Sequence, residues 1–290
     1  MSDADRIRAL PLWQGPIEIV PLGGGLSNRN YKVTGASGAC VVRLGEDLPF
    51  HHVFRDREAA AARAAHAAGL SPALRHAEGG VMVFDFLAGR SLGADDVRAR
   101  ISELAGLLAR VHRDVAGHLR GAASAFWVFH VLRDYAARLA AAGADPAVLG
   151  RFLAVAADLE AAQVPLPVVF GHHDLLPANI LDVGGRLQLI DWEYGGFGTA
   201  MFDLANLAAN AGFEAEDDEA LLAAYFGGAP DPATRRAFAA MKVASALRET
   251  MWSMVGEHEM TTPGVDFSAY TEDTRARFEA VLAAFEKDHR

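Results

Sequence analysis

Between two apolar runs lies a segment rich in groups that can do chemistry: Phe170-Gly-His-His-Asp174-Leu-Leu-Pro-Ala-Asn179-Ile-Leu181. Val168-Val-Phe170 leads in and Ile180-Leu181 leads out, so the polar residues belong to a loop framed by two buried strands, where a rigid scaffold can aim them. Asp174 and Asn179 stand five apart, with Pro177 stiffening the turn. A second carboxylate, Asp191, follows Leu189-Ile190 at the end of the next strand. The intervening hairpin brings it back beside Asn179. Asn179 and Asp191 offer the hard oxygen donors that Mg²⁺ prefers, with water and phosphate oxygens completing an octahedron. Asp174 is then left to accept the proton of a substrate hydroxyl. Phosphoryl transfer needs this set: positioning, a metal to neutralise phosphate charge, and one residue to orient the nucleophile. An Asp, an Asn five residues later and a further metal-binding Asp is the plan of known kinase sites.

A lone Asp in a turn more often caps it. The joint spacing of Asp174, Asn179 and Asp191 favours catalysis. His172 reads as support for the loop and His173 as a loop residue. Glu193 has two readings, toward a metal or cationic substrate and toward a neighbouring arginine. Asp203 reads as a brace for the loop. His51-His52 and His258 show no metal-ligand spacing, and there is no H-E-x-x-H or cysteine set.

The elements that must position these groups fall into two parts. Ile17–Val20, Asn30–Thr34, Ala39–Leu44 and Val81–Phe86 read as strands, with a partner for the last near Leu74. An Ala-rich helix over about Phe54–Ala68 stops at Gly69. After Gly89 the pattern turns helical. Val97, Ile101, Leu104, Leu108 and Val111 share one helical face, and Asp145-Pro146 and Asp231-Pro232 read as helix starts. Two short strands turn through Gly184-Gly185, and helix is expected from there to the end. The boundary is placed at Gly89, giving parts 1–88 and 89–290.

The chain has 290 residues, 51% of them hydrophobic, and a formal net charge of -10. That charge provides no broad footprint for nucleic acid or an anionic membrane. A polyanion such as ATP would need a locally basic or metal-bridged site. Cys40 is the single cysteine, which excludes an internal disulfide. The first residues lack a signal-peptide pattern and no run suits a membrane span, so a cytoplasmic location is expected.

Further motifs stand in a fixed order along the chain. They are Gly23-Gly-Gly-Leu-Ser-Asn28 with Tyr31, Arg43 on a strand, Glu58 on the next helix, Phe84-Asp-Phe-Leu-Ala-Gly89, Asp191-Trp-Glu-Tyr-Gly-Gly196 and Phe202-Asp-Leu-Ala-Asn206. Together with the His172–Asn179 segment, they make the chain resemble the aminoglycoside phosphotransferase and choline/ethanolamine kinase family, most closely its bacterial choline kinase-like branch. The resemblance covers most of the chain. It implies an α+β, bilobal protein-kinase-like fold, with a small antiparallel-sheet N-lobe carrying one helix and a larger, mostly helical C-lobe. It implies ATP and Mg²⁺ as cofactors and a small-molecule acceptor, cationic and amine-bearing. Gly24, Gly25, Ser27 and Asn28 would then form the nucleotide loop. Arg43, steadied by Glu58, would grip phosphates, and Glu193, Glu249 and Trp252 would face the acceptor. Two departures stand out. Glu249-Thr-Met-Trp252 replaces the Trp-x-x-Trp pair common in choline kinases, and Arg43 stands where many relatives use Lys.

The expected activity is phosphoryl transfer from ATP to an amino alcohol such as choline or ethanolamine. Aminoglycosides and sugars are alternative acceptors. A metal-dependent phosphoester hydrolase would need a His-rich second site that is missing. A nucleotide-binding module without turnover conflicts with an intact Asp174, Asn179 and Asp191.

Overall fold

Hydrophobic alternation and turn glycines build the first part of the chain. The computed structural model describes residues 2–289 apart from Gly24 and Pro263. A short helix, α1 (Asp3–Arg8), opens on a capping box between Ser2 and Asp5. It is followed by β1 (Glu18–Leu22), β2 (Arg29–Gly35) and β3 (Gly38–Leu44), then α2 (Arg55–Ala67), β4 (Leu74–Glu78) and β5 (Val81–Asp85). The five strands form one antiparallel sheet in the order β1-β2-β3-β5-β4. Val33, Val42, Leu44, Val81 and Val83 bury one face of it, and Ile7 of α1 joins that core. The sequence reading had no helix before β1. On the other side, α2 buries Ala59, Ala61, Ala62, Ala64 and Ala65, small side chains that let it pack close to its neighbours.

The second part begins with β6 (Arg90–Ser91), α3 (Ala94–Ala99) and α4 (Ile101–His118). The single apolar stripe from Val97 to Val111 is thus divided between two helices. Arg100 breaks it at φ -125, and its guanidinium reaches Asp182 at 2.7 Å and Glu103 at 2.8 Å. Next come β7 (Ser124–Ala125), α5 (Val128–Ala141), α6 (Pro146–Ala161) and β8 (Val168–Gly171), then the hairpin β9 (Ile180–Val183) and β10 (Arg186–Leu189). β6 pairs with β9.

A further strand, β11 (Gly196–Thr199), follows, where helix was expected. It pairs antiparallel with β8 and parallel with β7. Gly198 shows why this strand is poor in side chains: a Cβ there would lie 2.7 Å from the Phe126 carbonyl oxygen and 2.9 Å from His173 Nε2. The chain ends with α7 (Ala200–Ala211), α8 (Ala215–Phe226), α9 (Pro232–Glu259) and α10 (Phe267–His289). α9 starts as read, with Asp231 accepting the Thr234 N–H at 2.7 Å and Pro232 in the first turn. Its buried face, including Ala237, Met241, Ala244, Leu247, Met251 and Val255, enters the main core. Among the described residues no helix is long and apolar enough to cross a membrane. The mixed architecture, an antiparallel sheet followed by a larger helical part, is the α+β arrangement expected.

Candidate active site

The cleft between the five-stranded sheet and the helical part holds a cavity of about 490 Å³. Asp174, Asn179, Asp191 and Glu193 line it from one side and Gly25, Ser27 and Arg43 from the other, with Arg248, Glu249 and Trp252 of α9 at one end.

The polar loop leaves β8 at Gly171, and α7 holds it through three side chains on one helical face. Asp203 accepts the His172 N–H at 2.8 Å and the His173 N–H at 2.7 Å. Asn206 accepts the Leu175 N–H at 2.6 Å, and Asn210 donates to the Leu175 carbonyl at 3.3 Å. The Asp203 carboxylate also meets His112 Nε2 at 2.9 Å, while His112 Nδ1 meets the Tyr225 hydroxyl at 2.7 Å. Asp203 is completely buried. Burial opposes its charge, but His173, His112 and the loop N–H donors outweigh burial and hold its carboxyl well below the usual carboxylate range.

His172 supports the loop. Its Nε2–H donates to the Ile190 carbonyl at 2.9 Å, which leaves Nδ1 to accept the Asp174 N–H at 3.3 Å. This pair of bonds fixes a neutral tautomer and ties the loop to the segment carrying Asp191. Burial pushes the His172 pKa down. His173 sits at φ 62 with its ring stacked 4.3 Å from Phe126. Burial lowers its pKa to about 4, so it too is neutral and structural at neutral pH.

Asp174 emerges from this frame at the cleft. Asn179 Nδ2 donates to its backbone oxygen at 2.9 Å and to its Oδ2 at 3.3 Å. Arg248 Nη1 lies 3.6 Å from Oδ1. Burial pushes the Asp174 pKa up to about 8; Arg248 opposes the rise, and Glu249, Asp191 and Glu193 add to it. Asp191 adopts φ 68, a left-handed conformation uncommon outside glycine and concentrated at functional sites. Its Oδ1 accepts from Arg43 Nη1 at 2.6 Å.

The same Arg43 nitrogen reaches Glu58 at 2.5 Å, so the strand–helix pair read from sequence exists. Burial works against the Arg43 charge, but Asp191, Glu58 and Glu193 more than offset it and raise its pKa. Glu193 lines the cavity and also has an arginine partner, as one of its two readings expected. Arg55 Nη1 bridges Glu58 at 2.6 Å and Glu193 at 3.1 Å, and Ser27 and Asn28 donate to the Glu193 carboxylate at 3.1 Å. Burial and nearby Asp191 push the Glu193 pKa up. Gly24 lies outside the described residues. Tyr31 turns away from the cleft to donate to Asp3 at 2.7 Å.

At the far end of the cavity, Trp252 is both core and lining. It stacks on His51 with centroids 4.5 Å apart and donates its N–H to the Tyr194 hydroxyl at 2.9 Å. Glu249 accepts from the Tyr270 hydroxyl at 2.5 Å. Arg248, which the sequence reading missed, is 2% exposed and lies 4.4 Å over the Tyr194 ring. One signal could have found it. Arg248 falls at helical spacing with Ala244, Met251 and Val255, and an arginine on an apolar stripe requires buried partners. Arg55 and Tyr194 were missed because their partners are distant in sequence.

These geometries accompany clear relationships. Residues 18–238 match the model of the phosphotransferase enzyme family. An Arabidopsis thaliana protein named "Probable ethanolamine kinase" is 28% identical over 205 residues, 64% of this chain and 54% of its own length, so the chain matches about half of that relative. The crystal structure of a choline/ethanolamine kinase family protein from Mesorhizobium loti is 29% identical, with a TM-score of 0.77 over 96% of this chain and 94% of that one. Choline kinase LicA from Streptococcus pneumoniae, 22% identical, shares the fold with a TM-score of 0.78 over 98% of this chain and 100% of its own. LicA has also been solved in complex with AMP, where the TM-score is 0.75 over 97% of this chain and 96% of that one. With the family model covering both the sheet and the His172–Asn179 loop, this chain belongs to the phosphotransferase enzyme family.

Proposed function

We propose that the protein transfers the γ-phosphoryl group of ATP to the hydroxyl of an amino alcohol, with Asp174 as the base. The observation that carries this reading is the Asp174 carboxylate. It is held at the cleft by the bond from Asn179 and faces Arg248, beside Asp191 on its left-handed backbone. Residues 1–88 would form the nucleotide-covering lobe and residues 89–290 the lobe with the catalytic loop and acceptor pocket.

Asn179 and Asp191 suit Mg²⁺. Among the described residues no three His, Cys, Asp or Glu side chains are grouped to hold a metal unaided. Mg²⁺ commonly uses one or two protein oxygens and takes the rest from phosphates and water. Asn179 spends its Nδ2 on Asp174, which leaves its Oδ1 as a donor oxygen. When bound, the metal neutralises phosphate charge and aligns the transferred group. In the step itself, Asp174 orients the acceptor hydroxyl and takes its proton as the new P–O bond forms and the bond to the leaving ADP oxygen breaks. Arg43, poised by Glu58, contributes positive charge at the phosphates.

Glu249, Tyr270 and Trp252 line the acceptor end, where a carboxylate and aromatic rings suit an amine-bearing cation. ADP release measured across choline, ethanolamine and aminoglycosides tests this acceptor class. Turnover is expected with an amino alcohol, and turnover with aminoglycosides alone overturns it. Glu249→Gln is expected to raise the amino-alcohol KM about tenfold, the effect of losing one charged interaction, and to leave the ATP KM in place. An unchanged acceptor KM removes Glu249 from the pocket.

A further inference from the structure

The loop between β1 and β2 is pinned by residues far along the chain. Ser27 Oγ lies 3.1 Å from both Glu193 oxygens, and Asn28 Nδ2 lies 3.1 Å from Oε2. Thr262, just beyond α9, donates its hydroxyl to the Leu26 carbonyl at 2.9 Å. Two separate segments of the helical part therefore hold three consecutive loop residues. Behind Glu193 stands Arg55 of α2, whose Nη1 grips Glu193 and also Glu58, the partner of Arg43. All three charged side chains, Glu193, Arg55 and Glu58, are nearly inaccessible. Gly45 makes room for the arrangement: a Cβ there would lie 2.2 Å from Asn28 Oδ1, so only glycine lets the Asn28 side chain settle against the end of β3.

The readings of Glu193 toward a metal, a substrate or an arginine do not include its bonds from Ser27 and Asn28. Its carboxylate is spent on loop donors and an arginine. We propose that Glu193 is the hub of a latch that fixes the nucleotide loop before nucleotide arrives, with Thr262 as a second catch and Arg55 as the residue that positions Glu193. The inference rests on the reading that this loop covers ATP. A loop already in place loses no ordering entropy on binding, so the latch serves nucleotide affinity. It also couples loop position to the Glu58–Arg43 pair through Arg55, so closure of the loop and placement of Arg43 occur together. Glu193, Thr262 and Arg55 act through the loop and are positioning residues.

The test uses ¹⁵N relaxation on the nucleotide-free protein, comparing wild type with Ser27→Ala and Thr262→Val, two changes that leave the buried Glu193–Arg55 pair intact. Order parameters at residues 25–28 are expected to fall from about 0.85 to below about 0.6 in both variants. In turnover assays both variants, and Glu193→Gln, are expected to raise the ATP KM about tenfold, equivalent to about 1.4 kcal/mol, with the acceptor KM within about twofold. Combining Ser27→Ala with Glu193→Gln adds nothing further to the ATP KM, because both remove one shared interaction. A loop that stays rigid in both Ser27→Ala and Thr262→Val, or an effect of Glu193→Gln on the acceptor KM alone, overturns the latch. If ATP is not the phosphoryl donor, wild-type protein fails to bind Mg-ATP while the relaxation result still reads the latch directly.

Discussion

Replacing Asp174 with Asn lowers kcat by about 10²–10⁴-fold, the range that a positioned base contributes. The substitution keeps the shape and the contact with Asn179 but removes the group that accepts the proton. The backbone oxygen of Asp174 still takes the Asn179 bond at 2.9 Å, so the loop keeps its anchor and far-UV circular dichroism stays as in wild type. Retained turnover with the true acceptor would falsify the assignment. The pH profile supplies a second check. Burial, offset in part by Arg248, raises the Asp174 pKa to about 8. The ionised form is the active one, so kcat/KM rises with pH and levels off above about 8, and it falls tenfold for each unit of pH below that. A profile already flat from pH 5 upward contradicts the buried environment found for Asp174.

Asp203→Ala has the second large effect, and it falls on stability first. Asp203 accepts the N–H groups of His172 and His173 and meets His112, all in a site closed to water. Removing the carboxylate strands two buried N–H donors. Each costs about 1–3 kcal/mol when unpaired, so a loss of roughly 2–6 kcal/mol is expected in urea unfolding at pH 7. Turnover falls as well, since Asp174 follows directly on these two residues. A loss below about 1 kcal/mol would show that the loop is held by Asn206 and Asn210 without Asp203. The sign of the pH dependence follows from the depressed Asp203 pKa. The folded protein keeps the carboxylate ionised where the unfolded chain, near pKa 3.9, takes up a proton. The contribution is full above about pH 4 and is lost as pH falls toward the folded pKa. The alanine variant lacks this acid-side loss, so the stability difference between the two proteins narrows in acid.

Some parts of the site are written in local spacing. Asp174, Asn179 and Asp191 lie within 18 residues, with a proline-stiffened loop and a two-glycine hairpin between them. Such short connections leave few ways to arrange the three side chains, so their convergence could be read without coordinates. Arg43 and Glu58 were legible for the same reason, as a strand residue and a residue on the helix that follows. The apolar patterns marked the strands of the sheet, and the Asp-Pro pairs at 145–146 and 231–232 marked the starts of α6 and α9. Local pattern failed at β11, whose glycines carry no periodicity, and at Arg100, where a continuous stripe hides a break made by a long-range bond to Asp182.

The sequence by itself brought Asp174, Asn179, Asp191 and Arg43 forward as the proposed reaction centre, and all four line one cavity. Only the tertiary structure decided how the remaining charges are used. Glu193 could serve a metal, a substrate or an arginine, and its choice depends on Arg55, Ser27 and Asn28, more than 130 residues away in the chain. Arg248 and Trp252 become cavity walls only because α9 packs against α7, the helix that holds the Asp174 loop. A buried charge is defined by its partners, and partners that fold together from distant segments leave no fixed spacing in the sequence.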